Sequence, residues 1–159
     1  MVTSRFPGPD LAIPDFDPAG STVSLPVSGV GSVSRVTFSV DGSDCKTAPG
    51  LRHTFVGDLV GTLAGPDGTV VTLFDRTGGI GDDYCQAVFS DAAAQPISTA
   101  TSEDAPFTGS WQPAEPLSAF IGRLGDGTWR FTVADLSRGD LGVIHDVAVH
   151  VSGYEAPPG

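Results

Sequence analysis

The sequence has few basic residues, and this shortage excludes two classes of partner. It contains eight Lys and Arg against nineteen Asp and Glu, which gives a net charge of −11. Proteins that bind nucleic acid or anionic membrane surfaces carry basic patches that face phosphates. We therefore expect neither nucleic acid nor a membrane as a partner. Long apolar runs are also missing, so the sequence predicts no membrane span and no signal peptide, and is consistent with a cytosolic protein or with the mature part of an exported one.

Sulfur is scarce as well. The chain has one Met and two cysteines, Cys45 and Cys85. Neither cysteine lies in a CxxC motif or another zinc spacing, and two thiols cannot form a four-cysteine site. The spacing leaves two possibilities open, a pair of free buried thiols or one disulfide. The second would place the protein in an oxidising compartment.

Helical periodicity is missing. Twenty-one Gly and thirteen Pro interrupt the 159 residues, and no long segment repeats apolar residues at helical spacing. Apolar and polar residues alternate instead in four segments, at 23–27, 36–40, 129–133 and 147–151. Further short strands are predicted at 58–64, 69–74, 86–90 and 117–121. This pattern predicts a single all-β domain, an antiparallel β-sandwich of jelly-roll type.

Some segments carry no strand pattern. The loop at 41–50 and the stretch 92–116 are predicted to be irregular, and long loops of this kind are usually functional, tethered or bound to an ion. Residues 1–11 are predicted to be a linker and residues 154–159 a proline-rich tail, so the predicted domain spans 12–153.

No motif for a catalytic nucleophile is present. GxSxG is absent, and the three histidines, His53, His145 and His150, are interpreted as packing or surface residues. A glycosidase would need two carboxylates across a cleft, whereas Asp82 and Asp83 are adjacent on one glycine-rich loop. We therefore predict no catalytic residue.

Two further short features have an ordinary structural interpretation. The RGD tripeptide at 138–140 resembles an adhesion motif, but it is interpreted as a turn between strands. Trp129 alternates with Phe131 and is predicted to lie in the core. Trp111 lies outside any such pattern, which leaves open whether it contacts a ligand.

Carboxylates concentrate in the predicted loops. Sixteen of the nineteen acids are Asp, a residue that favours turns. Asp75, Asp82, Asp83 and Asp91 lie within seventeen residues around the sequence GGIGDD. Such carboxylates repel each other unless they are solvated or neutralised by a cation. No EF-hand is present, so we predict an irregular calcium site, with a solvated loop as the alternative.

Three longer segments carry a family resemblance. They are HTFVGDLVGTLAGPDGTVVTLFDRTGGIGDDY (53–84), PFTGSWQPAEPLSAFIG (106–122) and GTWRFTVADLSRGDLGVIHDVAVHV (127–151). They resemble the P domain, or Homo B domain, which follows the subtilisin-like catalytic domain in proprotein convertases and in many secreted bacterial proteases. The resemblance covers about residues 12–153. Two departures are GDD where the family usually has GDN, and AGPDG in place of SPxG.

The resemblance implies a fold and a role. It implies a galactose-binding-like jelly roll and a non-catalytic, monomeric module of a secreted protease, which packs on a subtilisin-like catalytic domain and supports its folding and stability. That catalytic domain would lie in the same longer chain or in a separate partner. Structural calcium would be held by the aspartates of GGIGDDY, and Asp58 would either join this site or cap a strand–loop corner. Because Cys45 and Cys85 would flank the same end of the sandwich, a disulfide between them is expected.

Two other functions are considered. The chain could be a free-standing or differently attached extracellular module that binds protein or carbohydrate. An autonomous hydrolase is the third hypothesis. A neighbouring catalytic domain of the subtilisin class would distinguish the first function from both of these.

Overall fold

Short alternating segments between glycine-, proline- and aspartate-rich turns fold into an all-β structure. The computed structural model describes residues 1–154. The strands in chain order are β1 (Val2–Arg5), β2 (Leu11–Ile13), β3 (Asp17–Val27), β4 (Val33–Val40), β5 (Gly42–Asp44), β6 (Ala48–Pro49), β7 (Leu51–His53), β8 (Leu59–Ala64), β9 (Val70–Asp75), β10 (Tyr84–Phe89), β11 (Phe107–Trp111), β12 (Gly127–Asp135), β13 (Gly142–Ile144) and β14 (Val147–Gly153). The described residues also contain short 3-10 helices, which are η1 (Val56–Asp58), η2 (Ile97–Thr99), η3 (Ser102–Asp104) and η4 (Leu117–Phe120). Among the described residues, no helix is long and apolar enough to cross a membrane.

Two sheets form the body of the molecule. The larger has the order β1-β14-β4-β10-β7-β13-β2, with β11 added on β10, and the smaller has the order β3-β12-β8-β9. Strands β5 and β6 form a separate hairpin. Only the β10–β11 pair is parallel among the described strands. The topology confirms the predicted antiparallel β-sandwich of jelly-roll type.

The four alternating segments supply much of the core between the sheets. Their inward-facing members are at most 4% exposed: Val23, Leu25, Val27, Val36, Phe38, Val40, Trp129, Phe131, Val133, Val147, Val149 and Val151. The rings of Phe38 and Phe131 meet across the two sheets with centroids 4.5 Å apart. Because successive side chains of a strand point to opposite faces, the period-two pattern correctly identified the buried face.

One predicted strand is wrong. Residues 117–121 contain the 3-10 helix η4 instead of a strand. The carboxylate of Asp91 accepts hydrogen bonds from the backbone N–H groups of Leu117 and Ser118, both at 2.8 Å. Leu117 and Phe120 are buried, and their spacing of three matches one turn of a 3-10 helix.

The stretch 92–116 is more regular than predicted. It contains η2, η3 and strand β11, which runs parallel to β10 from the pair Tyr84–Phe107 to the pair Phe89–Trp111. Within β11 only Phe107 is fully buried, while Thr108, Gly109 and Ser110 are exposed. A strand with one buried residue has no alternation of apolar and polar residues in its sequence.

The predicted linker at 1–11 is wrong for its first residues. Val2–Arg5 pairs antiparallel with β14 from Val151 to Ala148, and Leu11 begins β2. An edge strand needs few inward-facing apolar residues, because it gains stability from its backbone pairing as well. The predicted tail 154–159 lies outside the described residues except for Tyr154.

Candidate functional site

A disulfide anchors the acidic loops at one end of the sandwich. Cys45 and Cys85 are bonded, with Cα atoms 5.5 Å apart, which confirms the predicted pair. Cys85 is fully buried in β10, whereas Cys45 lies in the turn between β5 and β6. The bond therefore ties this surface hairpin to the larger sheet.

The glycine-rich loop between β9 and β10 packs against η1. Gly57 donates its N–H to the carbonyl of Gly79 at 2.9 Å, and Val56 donates to the carbonyl of Gly81 at 3.0 Å. A Cβ on Gly57 would lie 2.8 Å from the Gly79 oxygen, so glycine is required for this close approach. The two loop carbonyls are thus engaged by backbone N–H groups.

Asp83 fixes the end of this loop. Its N–H donates to the carbonyl of His53 at 3.0 Å, and its Oδ1 accepts the N–H of His53 at 2.9 Å. Its backbone is left-handed, with φ of 69°. Burial raises the pKa of the Asp83 carboxyl above the usual value for Asp. The preceding residue, Asp82, is exposed.

The five aspartates predicted as calcium ligands do not converge on one point. Asp75 pairs with the neighbouring Arg76 guanidinium at 3.1 Å, and both oxygens of Asp91 cap η4. Asp58 is buried, and the largest cause of its raised pKa is that burial, followed by the charge of Asp135. Among residues 1–154, no three His, Cys, Asp or Glu side chains are grouped closely enough to hold a metal ion.

These positions limit the kind of calcium site that the loop fits. Calcium takes roughly six to eight oxygen ligands. Asp82 presents an exposed carboxylate, and one oxygen of Asp83 already accepts a backbone N–H. An ion at this loop would therefore take most of its ligands from water, because the carbonyls of Gly79 and Gly81 already accept backbone N–H groups. The loop does not fit a cage of carboxylates.

His53 and Asp135 form a buried polar pair beside Asp58. Both side chains are fully inaccessible to solvent, and His53 Nε2 lies 2.9 Å from Asp135 Oδ2. Nδ1 of His53 accepts the N–H of Phe55 at 3.0 Å, so this nitrogen carries no proton. The proton is therefore on Nε2, which donates to Asp135, while Asp135 Oδ1 accepts the N–H of Ser137. Asp135 was not among the predicted site residues, because it ends an alternating strand and carries no motif of its own.

His150 belongs to a second polar group on the outer side of the larger sheet. Ser39 donates its hydroxyl proton to Asp41 Oδ2 at 3.1 Å, and Ser39 Oγ lies 2.7 Å from His150 Nε2. Because the Ser39 proton is used on Asp41, Nε2 of His150 donates to Ser39, and Nδ1 accepts from Thr3 at 2.8 Å. Burial lowers the pKa of His150, which favours this neutral ring. A catalytic serine would give its proton to the histidine, so the direction here is the reverse of that in a nucleophilic pair.

The remaining sequence features have structural partners. Gly139 of the RGD turn donates its N–H to Asp15, and Asp140 accepts the Thr54 hydroxyl proton at 2.7 Å. The Arg138 guanidinium lies over the Phe16 ring, 4.7 Å from its centroid. These contacts agree with a structural turn. Trp129 is buried as predicted.

The fold is that of an all-β domain, a two-sheet sandwich with a disulfide-anchored acidic loop, and the sequence places the chain in one family with such a fold. Residues 43–151 match the family model of the proprotein convertase P-domain. The chain belongs to the proprotein convertase P-domain family.

Its relatives are much longer proteins. The chain is 30% identical over 136 residues to leupeptin-inactivating enzyme 1 of Streptomyces exfoliatus, covering 86% of this chain and 23% of that protein. It is 27% identical over 142 residues to a calcium-dependent protease of Trichormus variabilis, covering 87% of this chain and 17% of that protein. The chain thus spans less than a quarter of the length of these relatives.

Solved structures show the same fold. The serine protease of Aeromonas sobria in complex with the chaperone ORF2 superposes with a TM-score of 0.62 at 16% identity, covering 98% of this chain and 27% of that one. A structure of the Aeromonas sobria serine protease gives a TM-score of 0.54 at 16% identity, covering 97% and 28%. The P domain is a module associated with proteases, and this chain has its architecture.

Proposed function

We propose that this chain is the non-catalytic P domain of a secreted subtilisin-like serine protease. In this role it packs on the catalytic domain and supports its folding and stability. The observation that carries the proposal is the P-domain match over 43–151, on a chain that covers only a part of each protease relative. The disulfide supports an extracellular location, because such bonds persist mainly in oxidising compartments.

We also propose that the acidic loop end binds structural calcium. Two considerations support this. The names of two relatives, in Trichormus variabilis and in a Nostoc strain, describe calcium-dependent proteases. Asp82 and Asp83 are adjacent on the loop, the charge of Asp82 contributes, besides burial, to the raised pKa of Asp83, and bound calcium would offset the repulsion between these two carboxylates. The ligand set proposed is Asp82 and Asp83, and Asp58, on the neighbouring helix η1, is a weaker candidate because Asp135 is the charged group that most affects it. Asp75 and Asp91 are also weaker candidates, because Asp75 pairs with Arg76 and both oxygens of Asp91 accept backbone N–H groups, whereas Asp83 accepts one N–H through Oδ1 alone.

Deleting the domain from its natural gene tests the accessory role. We expect a subtilisin-like catalytic domain, with H-G-T-H and G-T-S-M-A-P motifs, in the same gene or its neighbour. Removing codons 12–153 should abolish most secreted caseinolytic activity, because the catalytic domain would fold poorly. The isolated chain should not cleave casein. A catalytic domain of another class, or casein cleavage by the isolated chain, would refute the proposal.

Point variants separate loss of the fold from loss of the segment. Leu25→Asp places a charge at a fully buried position and should reproduce the deletion. Leu124→Asp makes the same change at an exposed leucine and should leave secreted activity near the parent level. Equal activity of both variants would show that the folded domain is dispensable to the protease.

A second candidate function is attachment to a different hydrolase. One observation favours it: the Streptomyces relative is named for inactivating leupeptin and not as a serine protease. The class of catalytic domain encoded with this chain distinguishes the two candidates directly.

A further inference from the structure

A groove opens beside the disulfide at the acidic end of the sandwich. Three chain segments form its walls: the turn at Cys45 and Lys46, the loop from Ile80 to Asp83, and the approach to β11 at Ser102, Ala105 and Pro106. The groove is open to solvent, and its volume of about 600 Å³ is within the range of sites that hold small ligands and peptide side chains.

The groove is held in shape without a ligand. The disulfide fixes its first wall to β10, and Asp83 fixes the second wall through two hydrogen bonds to His53. The third wall packs so closely on the second that a Cβ on Gly81 would lie 3.0 Å from the Cβ of Ala105. A preformed groove binds without the entropic cost of ordering its walls.

Ile80 forms an apolar lip on this groove. Its side chain is 68% exposed. Single exposed aliphatic residues are common on proteins and by themselves indicate nothing. Here, however, the lip continues into walls made of Ala105, Pro106 and the disulfide. An apolar surface inside a concave site favours an aliphatic side chain as its occupant.

The charges around the groove specify the rest of the occupant. Asp82, Glu103 and Asp104 are exposed in or next to its walls, whereas Lys46 is the one basic residue that lines it. Surfaces that associate carry complementary charges, so a negative rim around apolar walls favours a positively charged partner. We propose that this groove binds a polypeptide segment in which an aliphatic side chain is flanked by arginine or lysine. The proposal does not depend on which catalytic domain accompanies the chain.

Amide NMR of the isotope-labelled chain in the presence of a chelator tests this binding. The probe is the peptide acetyl-Gly-Arg-Leu-Arg-Gly-amide, titrated to about 5 mM because contacts at an exposed rim give weak affinity. We expect saturable shifts confined to residues 45–46, 80–83 and 102–105. Two comparison peptides should fail: one with glutamates for the arginines, which reverses the charge, and one with glycine for the leucine, which removes the aliphatic side chain.

Matched variants test the two features separately. Ile80→Ala should weaken the binding roughly five-fold, since it removes apolar contact area, and Asp82→Asn roughly three-fold, since it removes one rim charge. Ile121→Ala, an exposed isoleucine away from the groove, and Asp17→Asn, on β3, should bind like the parent. Absence of shifts, shifts elsewhere, or equal binding of the glutamate peptide would overturn the proposal. Calcium occupancy is a separate measurement, because the titration is made without free calcium.

Discussion

At the scale of single residues, His53 and Asp135 form a polar pair whose side chains are fully inaccessible to solvent. The polar atoms of this pair are hydrogen-bonded. Nδ1 of His53 accepts the N–H of Phe55, Nε2 of His53 donates to Asp135, and Oδ1 of Asp135 accepts the N–H of Ser137. A buried polar group costs little when it is paired and much when its partner is removed. The pair therefore makes the fold sensitive to substitution at either position.

Asp135→Ala should lower the free energy of unfolding by about 3 kcal/mol, because the buried Nε2–H of His53 loses its acceptor. Urea denaturation followed by fluorescence of the buried Trp129 measures this change. Glu103→Ala, at an exposed acid in η3, is the control and should stay within about 0.5 kcal/mol of the parent. Equal midpoints for the two variants would contradict the interpretation.

The ion pair of Arg5 and Asp146 predicts a pH dependence. Arg5 donates from Nε and Nη2 to the two carboxylate oxygens, at 2.7 and 2.6 Å, and this hydrogen bonding lowers the pKa of Asp146. A carboxyl whose pKa is lower in the folded state stabilises the protein above its unfolded pKa, roughly 3.9. That contribution is lost as the pH falls through the lower folded value.

Melting temperatures between pH 6 and pH 2 check this prediction. The parent should lose more stability on acidification than Asp146→Asn, which has no carboxyl to protonate at that position. Arg5→Gln should also show a shallower loss, since the pKa of Asp146 then returns toward its usual value. Parallel curves for all three proteins would show that the pair makes no difference in solution. Because Arg5 is 66% exposed, salt should reduce the effect.

At the scale of whole elements, β1 is the clearest addition that the structure makes. It pairs with β14, carries Arg5 to Asp146, and brings Thr3 within 2.8 Å of His150. Val2, in β1, and Phe6, the residue after the strand, pack on the core although both are only partly buried. A segment predicted to be a linker thus pairs with the outer side of β14 and becomes the edge strand of the larger sheet, and its four residues leave only a short edge there.

Replacing the sequence of Val2–Arg5 by Gly-Ser-Gly-Ser should lower the free energy of unfolding by about 2 kcal/mol, because the partly buried Val2 side chain is lost and glycine within a strand is destabilising. Thermal and urea unfolding measure the change. Thr3→Ser retains the hydroxyl that meets His150 and serves as the control. If the replaced protein were as stable as the control, the segment would behave as a linker after all.

At the scale of the whole molecule, the two ends of the sandwich differ in chemistry. One end carries the disulfide, the GGIGDD loop and Asp58 packed beside Asp135. The other end carries the turn at Asp67, whose carboxylate pairs with Arg123 at 3.2 Å. Bound calcium would therefore stabilise the first end and leave the second unaffected.

If calcium binds there, it should raise the melting temperature by roughly 5–10 °C at a hundred-fold excess over its Kd. A chelator should reverse the rise. Asp82→Ala should remove most of the response, whereas Asp67→Ala, at the opposite end, should keep it despite some loss of stability. An unchanged melting temperature in chelator would argue against calcium, and a full response of Asp82→Ala would place the ion at another loop.

Much of the fold was predictable because its signals are local. Alternation along 23–27, 36–40, 129–133 and 147–151 identified the buried face of each strand, since a strand repeats every two residues wherever it lies. The P-domain resemblance predicted the family and the Cys45–Cys85 pair. Strand β11 and helix η4 were not predictable in this way, because a parallel partner and a distant Asp91 stabilise them.

The candidate site depended far more on tertiary structure. The sequence by itself determined an all-β domain, an acidic surface and a cluster of loop aspartates. Only the folded chain placed His53 next to Asp135, eighty-two residues away, and Ser39 next to His150, one hundred and eleven away. It also gave Asp91, which is close to Asp82 in sequence, the backbone N–H groups of η4 as partners. The physical reason is that side-chain contacts follow from how the strands are arranged in the two sheets, and sequence spacing contains no information about that arrangement.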